Sequence, residues 1–132
     1  MKSDPLAVLI DTSVLIEFLR RSPKAVGLFR DLATRHIDLA ISCVTVAELY
    51  AGIRVGEEIK IARLIDSLEC LSLTADIAKR AGLIRAEQRR IGRTFALDDL
   101  MIGATAIAYG FPLITDNCKD FEIPGIEIYS GY

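Results

Sequence analysis

The stretch LAVLIDTSVLIEFL, residues 6–19, sets Asp11, Thr12 and Ser13 between two apolar runs. Leu6 to Ile10 is a continuous aliphatic run, the pattern of a strand buried on both faces. Val14 to Arg20 reads as a short amphipathic helix, stopped by Arg21-Ser22-Pro23. A buried strand that passes directly into a helix is the start of a βαβ unit. The residues at the junction have two readings. Asp, Thr and Ser cap helix N-termini; alternatively, Asp11 holds a ligand, a metal ion first among the candidates.

The same alternation continues outward from this stretch. Lys24 to Thr34 has helical spacing, and Asp38 to Ser42 (DLAIS) reads as a second strand. Thr45 to Ile53 begins another helix, with Gly56 as a break, and Glu57 to Leu68 is a further one. Glu69 to Leu73 reads as a third strand. The longest helical pattern covers Thr74 to Ile91 and stops at Gly92. Residues 98–109 (DDLMIGATAIAY) form a small-residue helix, whose Gly103 and Ala104 would let it approach the sheet closely. Pro112 to Thr115 and Glu127 to Tyr129 complete the strands. Strands alternating with helices over short loops imply one α/β domain over residues 1–132, with three α/β/α layers and a mainly parallel central sheet.

With 132 residues, of which 52% are hydrophobic, the chain suits one compact domain and not a disordered segment. Sixteen basic against 18 acidic residues give a net charge of −2, so any nucleic-acid contact needs a local basic patch. The cysteines Cys43, Cys70 and Cys118 are odd in number and form no C-x-x-C pair, which speaks against a disulfide framework or zinc knuckle. No signal-peptide pattern and no run near the ~18 apolar residues of a membrane span is present. The expectation is a cytoplasmic protein without membrane association. His36, the sole histidine, stands in a polar stretch and is expected at the surface.

In open parallel sheets, ligands bind beyond the carboxyl ends of the strands. Asp11 follows the first strand and Asp116 follows PLIT (112–115). Glu48 falls in the first turn of the helix after DLAIS, and Asp98 and Asp99 open the small-residue helix. Carboxylates gathered at one sheet edge repel one another, and a bound divalent cation is the usual remedy. An oxygen-only set suits Mg²⁺ or Mn²⁺, a site of a kind that works on phosphodiesters. Nearby helix N-termini would help keep the acids ionised. Each acid also has a structural explanation. Asp11 and Asp98 can cap helices, Thr45-x-x-Glu48 matches a capping box, and TDNCKD (115–120) can be a polar turn. The convergence of all four positions at one end of the sheet is what favours a site.

LIDTSVLIEFL, TVAELYAG, DDLMIGATAIAYGFPLIT and DNCKDFEIPGIEI, in that order, resemble the motifs of the PIN-domain ribonucleases, and more closely the VapC toxins of prokaryotic toxin–antitoxin pairs. The resemblance runs from Leu6 to Ile128. It implies a PIN-like domain whose acids gather around Mg²⁺ or Mn²⁺ and cut single-stranded regions of RNA. By position, Asp11, Glu48 and Asp99 match the first three acids. The fourth place falls to Asp116 or Asn117, with Asp120 behind both as a turn-former and Asp98 read as a cap. Thr12, Ser13 and Thr115 match the family's small hydroxyl residues.

The chemistry inferred from these residues is metal-assisted hydrolysis, with Asp11, Glu48, Asp99 and Asp116 as candidate ligands and Asn117 as a neutral alternative. An activated water would attack phosphorus in line and leave a 5′-phosphate. Arg85 and Arg89, four apart on the long helix, are the candidate RNA-phosphate contacts. The resemblance further implies a homodimer and a cognate antitoxin that covers the acids. Two other enzyme patterns fit less well. The haloacid-dehalogenase motif wants an Asp where Ser13 stands, and a receiver domain wants a lysine where PLIT is followed by Asp116. The non-enzymatic alternative, a catalytically inactive PIN-like RNA- or protein-binding module, would not need Asp11, Glu48 and Asp99 together.

Overall fold

The computed structural model describes residues 3–132. In chain order it runs β1 (Ala7–Ile10), α1 (Thr12–Leu19), α2 (Pro23–Thr34), β2 (Asp38–Ser42), α3 (Cys43–Ala51), α4 (Glu58–Asp66), β3 (Glu69–Leu71), α5 (Ala75–Arg90), α6 (Leu97–Tyr109) and β4 (Leu113–Ile114). A 3-10 turn covers Cys118–Phe121. The strands form one parallel sheet in the order β3-β2-β1-β4, with Leu9 level with Ala40 on one side and Leu113 on the other.

Side chains alternate across a strand, and here both faces are covered. Leu9, Ala40, Leu71 and Leu113 pack under Ile77 and Ala81 of α5 and Leu100, Ile102 and Ala104 of α6. Val8, Ile10, Ile41 and Ile114 pack against α1, α2 and α4, through Val14, Leu15, Leu28, Leu32, Ile61 and Leu64. This is why the run before Asp11 shows no polar interruption: every residue of β1 is buried. Each large aliphatic side chain removed from water in this way contributes about 1.5–3 kcal/mol.

The strand order reverses at β1. The chain builds β2 and β3 outward on one side, then returns to place β4 on the other. In open parallel sheets such a reversal marks the ligand crevice beyond the carboxyl ends of the strands, and Asp11 and Thr115 stand at that end of β1 and β4.

Several expected boundaries move, and some of the shifts bear on the site. Helix α1 begins at Thr12, not Val14. Helix α3 begins at Cys43 rather than Thr45, because the Ser42 side chain accepts from Val44 N at 3.1 Å and caps the helix there. Glu48 is thereby carried into the second turn, and the Thr45-x-x-Glu48 capping box does not form. Helix α6 starts at Leu97 after Ala96, so Asp98 is not its cap but lies in the first turn with Asp99. Gly103 makes room for the C-terminal segment rather than the sheet, since a Cβ there would stand 2.6 Å from Ile126 Cδ1. The strand expected at residues 127–129 contracts to one parallel bridge between Leu113 and Ile128. Among the described residues no helix is long and apolar enough to cross a membrane.

Candidate active site

Asp11 occupies the N-cap position of α1, yet its side chain makes no capping bond. It is only 5% exposed, and its Oδ2 accepts from Ser13 Oγ at 2.8 Å and from Thr115 Oγ1 at 2.9 Å. Thr115 Oγ1 accepts in turn from Asn117 N at 3.0 Å, and Ser13 Oγ from Asp116 N at 3.4 Å. Hydroxyls from α1 and from the end of β4 therefore hold the carboxylate across the crevice. A capping carboxylate would instead turn back onto the helix N–H groups. The capping reading of Asp11 therefore does not hold, and its carboxylate is held instead by Ser13 and Thr115.

Glu48 reaches the same place from α3. Thr12 Oγ1 donates to Glu48 Oε1 at 2.7 Å and lies 3.0 Å from the fully buried Thr45 Oγ1. Burial raises the Glu48 carboxyl above its ordinary value, the Thr12 bond partly offsets this, and the Asp98 and Asp11 carboxylates raise it further. Asp99 is affected more strongly. Burial first, then the negative charges of Asp98, Asp11, Asp120 and Glu48, push its carboxyl up to about 7. The helix N-termini do not hold these two carboxyls down: Glu48 and Asp99 both lie above their ordinary values. The macrodipole favours an anion by at most about 1–2 kcal/mol, and burial among like charges outweighs it.

The sources of these shifts identify the acids that share the crevice: Asp11, Glu48, Asp98, Asp99 and Asp120. One was misplaced from sequence: Asp98 faces Glu48 instead of capping α6. Asp120 lies in a turn, as expected, and from that 3-10 turn its charge also acts on Asp99. Their one sequence signal is the doubling of acids, Asp98-Asp99 and Asp116 with Asp120. The Asp116 backbone N–H meets Ser13 at the site, but its carboxylate turns away, its Oδ1 3.6 Å from Lys24 Nζ and its charge acting on Glu17 and Tyr132. Asn117 enters through its backbone N–H alone. Arg85 is half-buried with its Nε lacking an acceptor, and Arg89 is exposed. Among the described residues, neither forms an ion pair with the acids.

The donor set is all oxygen, and no described lysine or arginine neutralises it by an ion pair. That chemistry fits a hard divalent cation. Among the described residues no three His, Cys, Asp or Glu side chains form a ready-made cage. Mg²⁺ typically takes only one or two carboxylates, with waters and phosphate oxygens completing its shell.

Residues 8–122 match the PIN domain family. The chain is 37% identical over 119 residues to ribonuclease VapC10 of Mycobacterium tuberculosis, covering 88% of this chain and 86% of that protein. It is 32% identical over 129 residues to the tRNA(fMet)-specific endonuclease VapC of Salmonella typhimurium, covering 93% of this chain and 96% of that one. It also superposes on a chain of a toxin–antitoxin complex from Klebsiella pneumoniae with a TM-score of 0.76 and 29% identity, over 95% of this chain and 98% of that one. The chain belongs to the PIN domain family and, within it, to the VapC ribonucleases.

Proposed function

We propose that this protein is a metal-dependent endoribonuclease, the toxin of a toxin–antitoxin pair. The observation that carries the reading is the crevice at the β1–β4 reversal. Folding alone gives no reason to gather Asp11, Glu48, Asp98, Asp99 and Asp120 there and to raise one carboxyl to about 7. Burying charge without a partner is costly, so the arrangement is maintained for what it binds. Relatives named as ribonucleases supply the reaction class.

Asp11, Glu48 and Asp99 would hold Mg²⁺ or Mn²⁺, with Asp120 in the fourth place rather than Asp116 or Asn117. When bound, the cation supplies charge neutralisation and Lewis acidity for hydrolysis of a phosphodiester. Ser13 and Thr115 fix Asp11 Oδ2, and Thr12 fixes Glu48 Oε1, so both carboxylates are oriented before substrate arrives. Glu48, oriented by Thr12 and with its carboxyl raised above its ordinary value by burial, is the group suited to accept a proton from the attacking water. No histidine is needed, and the RNA 2′-hydroxyl takes no part. An antitoxin partner and a homodimer follow from the family likeness, the first supported by the complex from Klebsiella pneumoniae.

The test is cleavage of a mixed RNA pool that includes tRNA, by antitoxin-free protein with Mg²⁺, Mn²⁺ or EDTA. Asp11→Asn and Asp99→Asn serve as controls. The expected result is metal-dependent cleavage that leaves 5′-phosphates and is lost in both variants. Folded, inactive wild-type protein would favour a binding module instead.

A further inference from the structure

We infer that Lys24 is a phosphate-binding residue at the rim of the acid cluster, gripping the RNA close to the cleaved bond, and that Asp116 and Tyr132 position it. The inference rests on the ribonuclease reading above and adds the residue that holds the substrate.

A polyanion has to approach a centre crowded with carboxylates, on a chain whose net charge of −2 offers no general attraction. Several other cations are committed. Arg35 is bound to Asp4, Asp31 and Tyr129. Arg93 is bound to the Glu122 carbonyl and carboxylate, and its guanidinium lies over the Phe95 ring. Of the two arginines singled out from sequence, Arg85 keeps its Nε buried, and Arg89 is exposed with no ion pair to the acids among the described residues.

Lys24 is held differently. Its side chain is 56% exposed, with Nζ 3.6 Å from Asp116 Oδ1 and 4.1 Å from the centre of the Tyr132 ring. The Asp116 N–H points to Ser13 Oγ, and Ser13 Oγ donates to Asp11 Oδ2. Three consecutive contacts thus tie the ammonium to the first acid of the centre.

The ring is itself anchored, because the Tyr132 hydroxyl donates to Glu17 on α1. Its face supplies a fixed seat for the ammonium by cation–π attraction. The ion pair with Asp116, by contrast, is long and open to solvent, and exposed pairs of this kind are weak. The ammonium can therefore exchange a carboxylate for a phosphate while keeping its seat on the ring. A lysine suits this role, since it binds phosphate as a point charge without a fixed angle.

The experiment is fluorescence anisotropy of a 5′-labelled, mixed-sequence single-stranded oligoribonucleotide in Mg²⁺, at several salt concentrations. The protein carries Asp11→Asn to silence cleavage. Adding Lys24→Gln is expected to weaken binding about five-fold and to reduce the slope of log K against log salt by about 0.7, the value for one phosphate on a single strand. Lys24→Arg is expected to restore both. Tyr132→Ala, which removes the seat and keeps the charge, should weaken binding about two-fold with the slope retained. In cleavage-competent protein, Lys24→Gln should raise KM and leave kcat within about two-fold. An unchanged affinity and slope in Lys24→Gln, or no rescue by arginine, overturns the inference. If unsubstituted protein cleaves nothing, the ribonuclease reading is overturned instead, and the anisotropy still decides whether Lys24 grips RNA.

Discussion

Replacing Asp99 by asparagine should stabilise the metal-free protein while abolishing its response to metal. The Asp99 carboxyl is raised from its ordinary 3.8 to about 7, by burial first and then by Asp98, Asp11, Asp120 and Glu48. Below pH 3.8 the group is protonated in folded and unfolded chains alike and costs nothing. As the pH rises toward 7, the unfolded chain ionises while the folded one resists, so stability is lost across that window. Each pH unit is worth about 1.4 kcal/mol, which sets a ceiling of about 4 kcal/mol. Asp99 is not fully buried, and solvent screening reduces the expected penalty to about 1–2 kcal/mol. Asparagine has the same shape and no charge, so at pH 8 in EDTA it should recover that amount. For a chain of this size, the recovery is an increase of roughly 3–8 °C in Tm. The advantage should shrink to about half at pH 5.5 and vanish toward pH 4. The assay is thermal unfolding followed by circular dichroism in EDTA across this range, repeated with Mg²⁺. An Asp99→Asn protein no more stable than wild type at pH 8 in EDTA would refute the account of a strained, like-charged centre.

Wild-type protein should gain more Tm from Mg²⁺ at pH 8 than at pH 5.5, because at the lower pH Asp99 must first release a proton; calorimetry showing equal gains would contradict this. Thr12→Val keeps the side-chain shape but removes the hydroxyl bonded to Glu48. It should lower stability by about 1–3 kcal/mol in denaturant titrations and lower kcat by at least about ten-fold, the signature of a misplaced carboxylate. Ser42→Ala removes the cap on Val44 N and should cost about 1 kcal/mol, with kcat on RNA kept within about two-fold. A large loss of kcat in Ser42→Ala would mean that the start of α3 sets the site more tightly than this geometry indicates.

The fold was legible because its signals are local and redundant. The uninterrupted run before Asp11 can be buried only in a sheet covered on both faces, and turn residues such as Gly56 and Gly92 stop or break the pattern, both with positive φ. The boundaries that moved did so for reasons invisible along the chain. Ser42 captured the start of α3 with one side-chain bond, and Ala96 stands before α6 although no side chain caps it. The short last strand depends on pairing with β4, fifteen positions away, and the pairing stops at one bridge, in which Leu113 bonds Glu127 O and Tyr129 N on either side of Ile128.

The site divides along the same line. Asp11, Glu48 and Asp99 were readable from their positions after strands and at the start of helices, because topology alone sends such positions to one sheet edge. The direction in which each carboxylate turns was not. Asp11 turns to Thr115, 104 positions away, and Glu48 to Thr12, 36 positions away. Asp98 joins Glu48, while the Asp116 carboxylate turns to Lys24, whose ammonium lies over the Tyr132 ring. Sequence by itself determined which residues can carry charge and which elements carry them to the crevice. Tertiary structure decided which charges meet, because Coulomb energy and hydrogen bonding depend on separations of a few ångströms between side chains that the chain order keeps far apart.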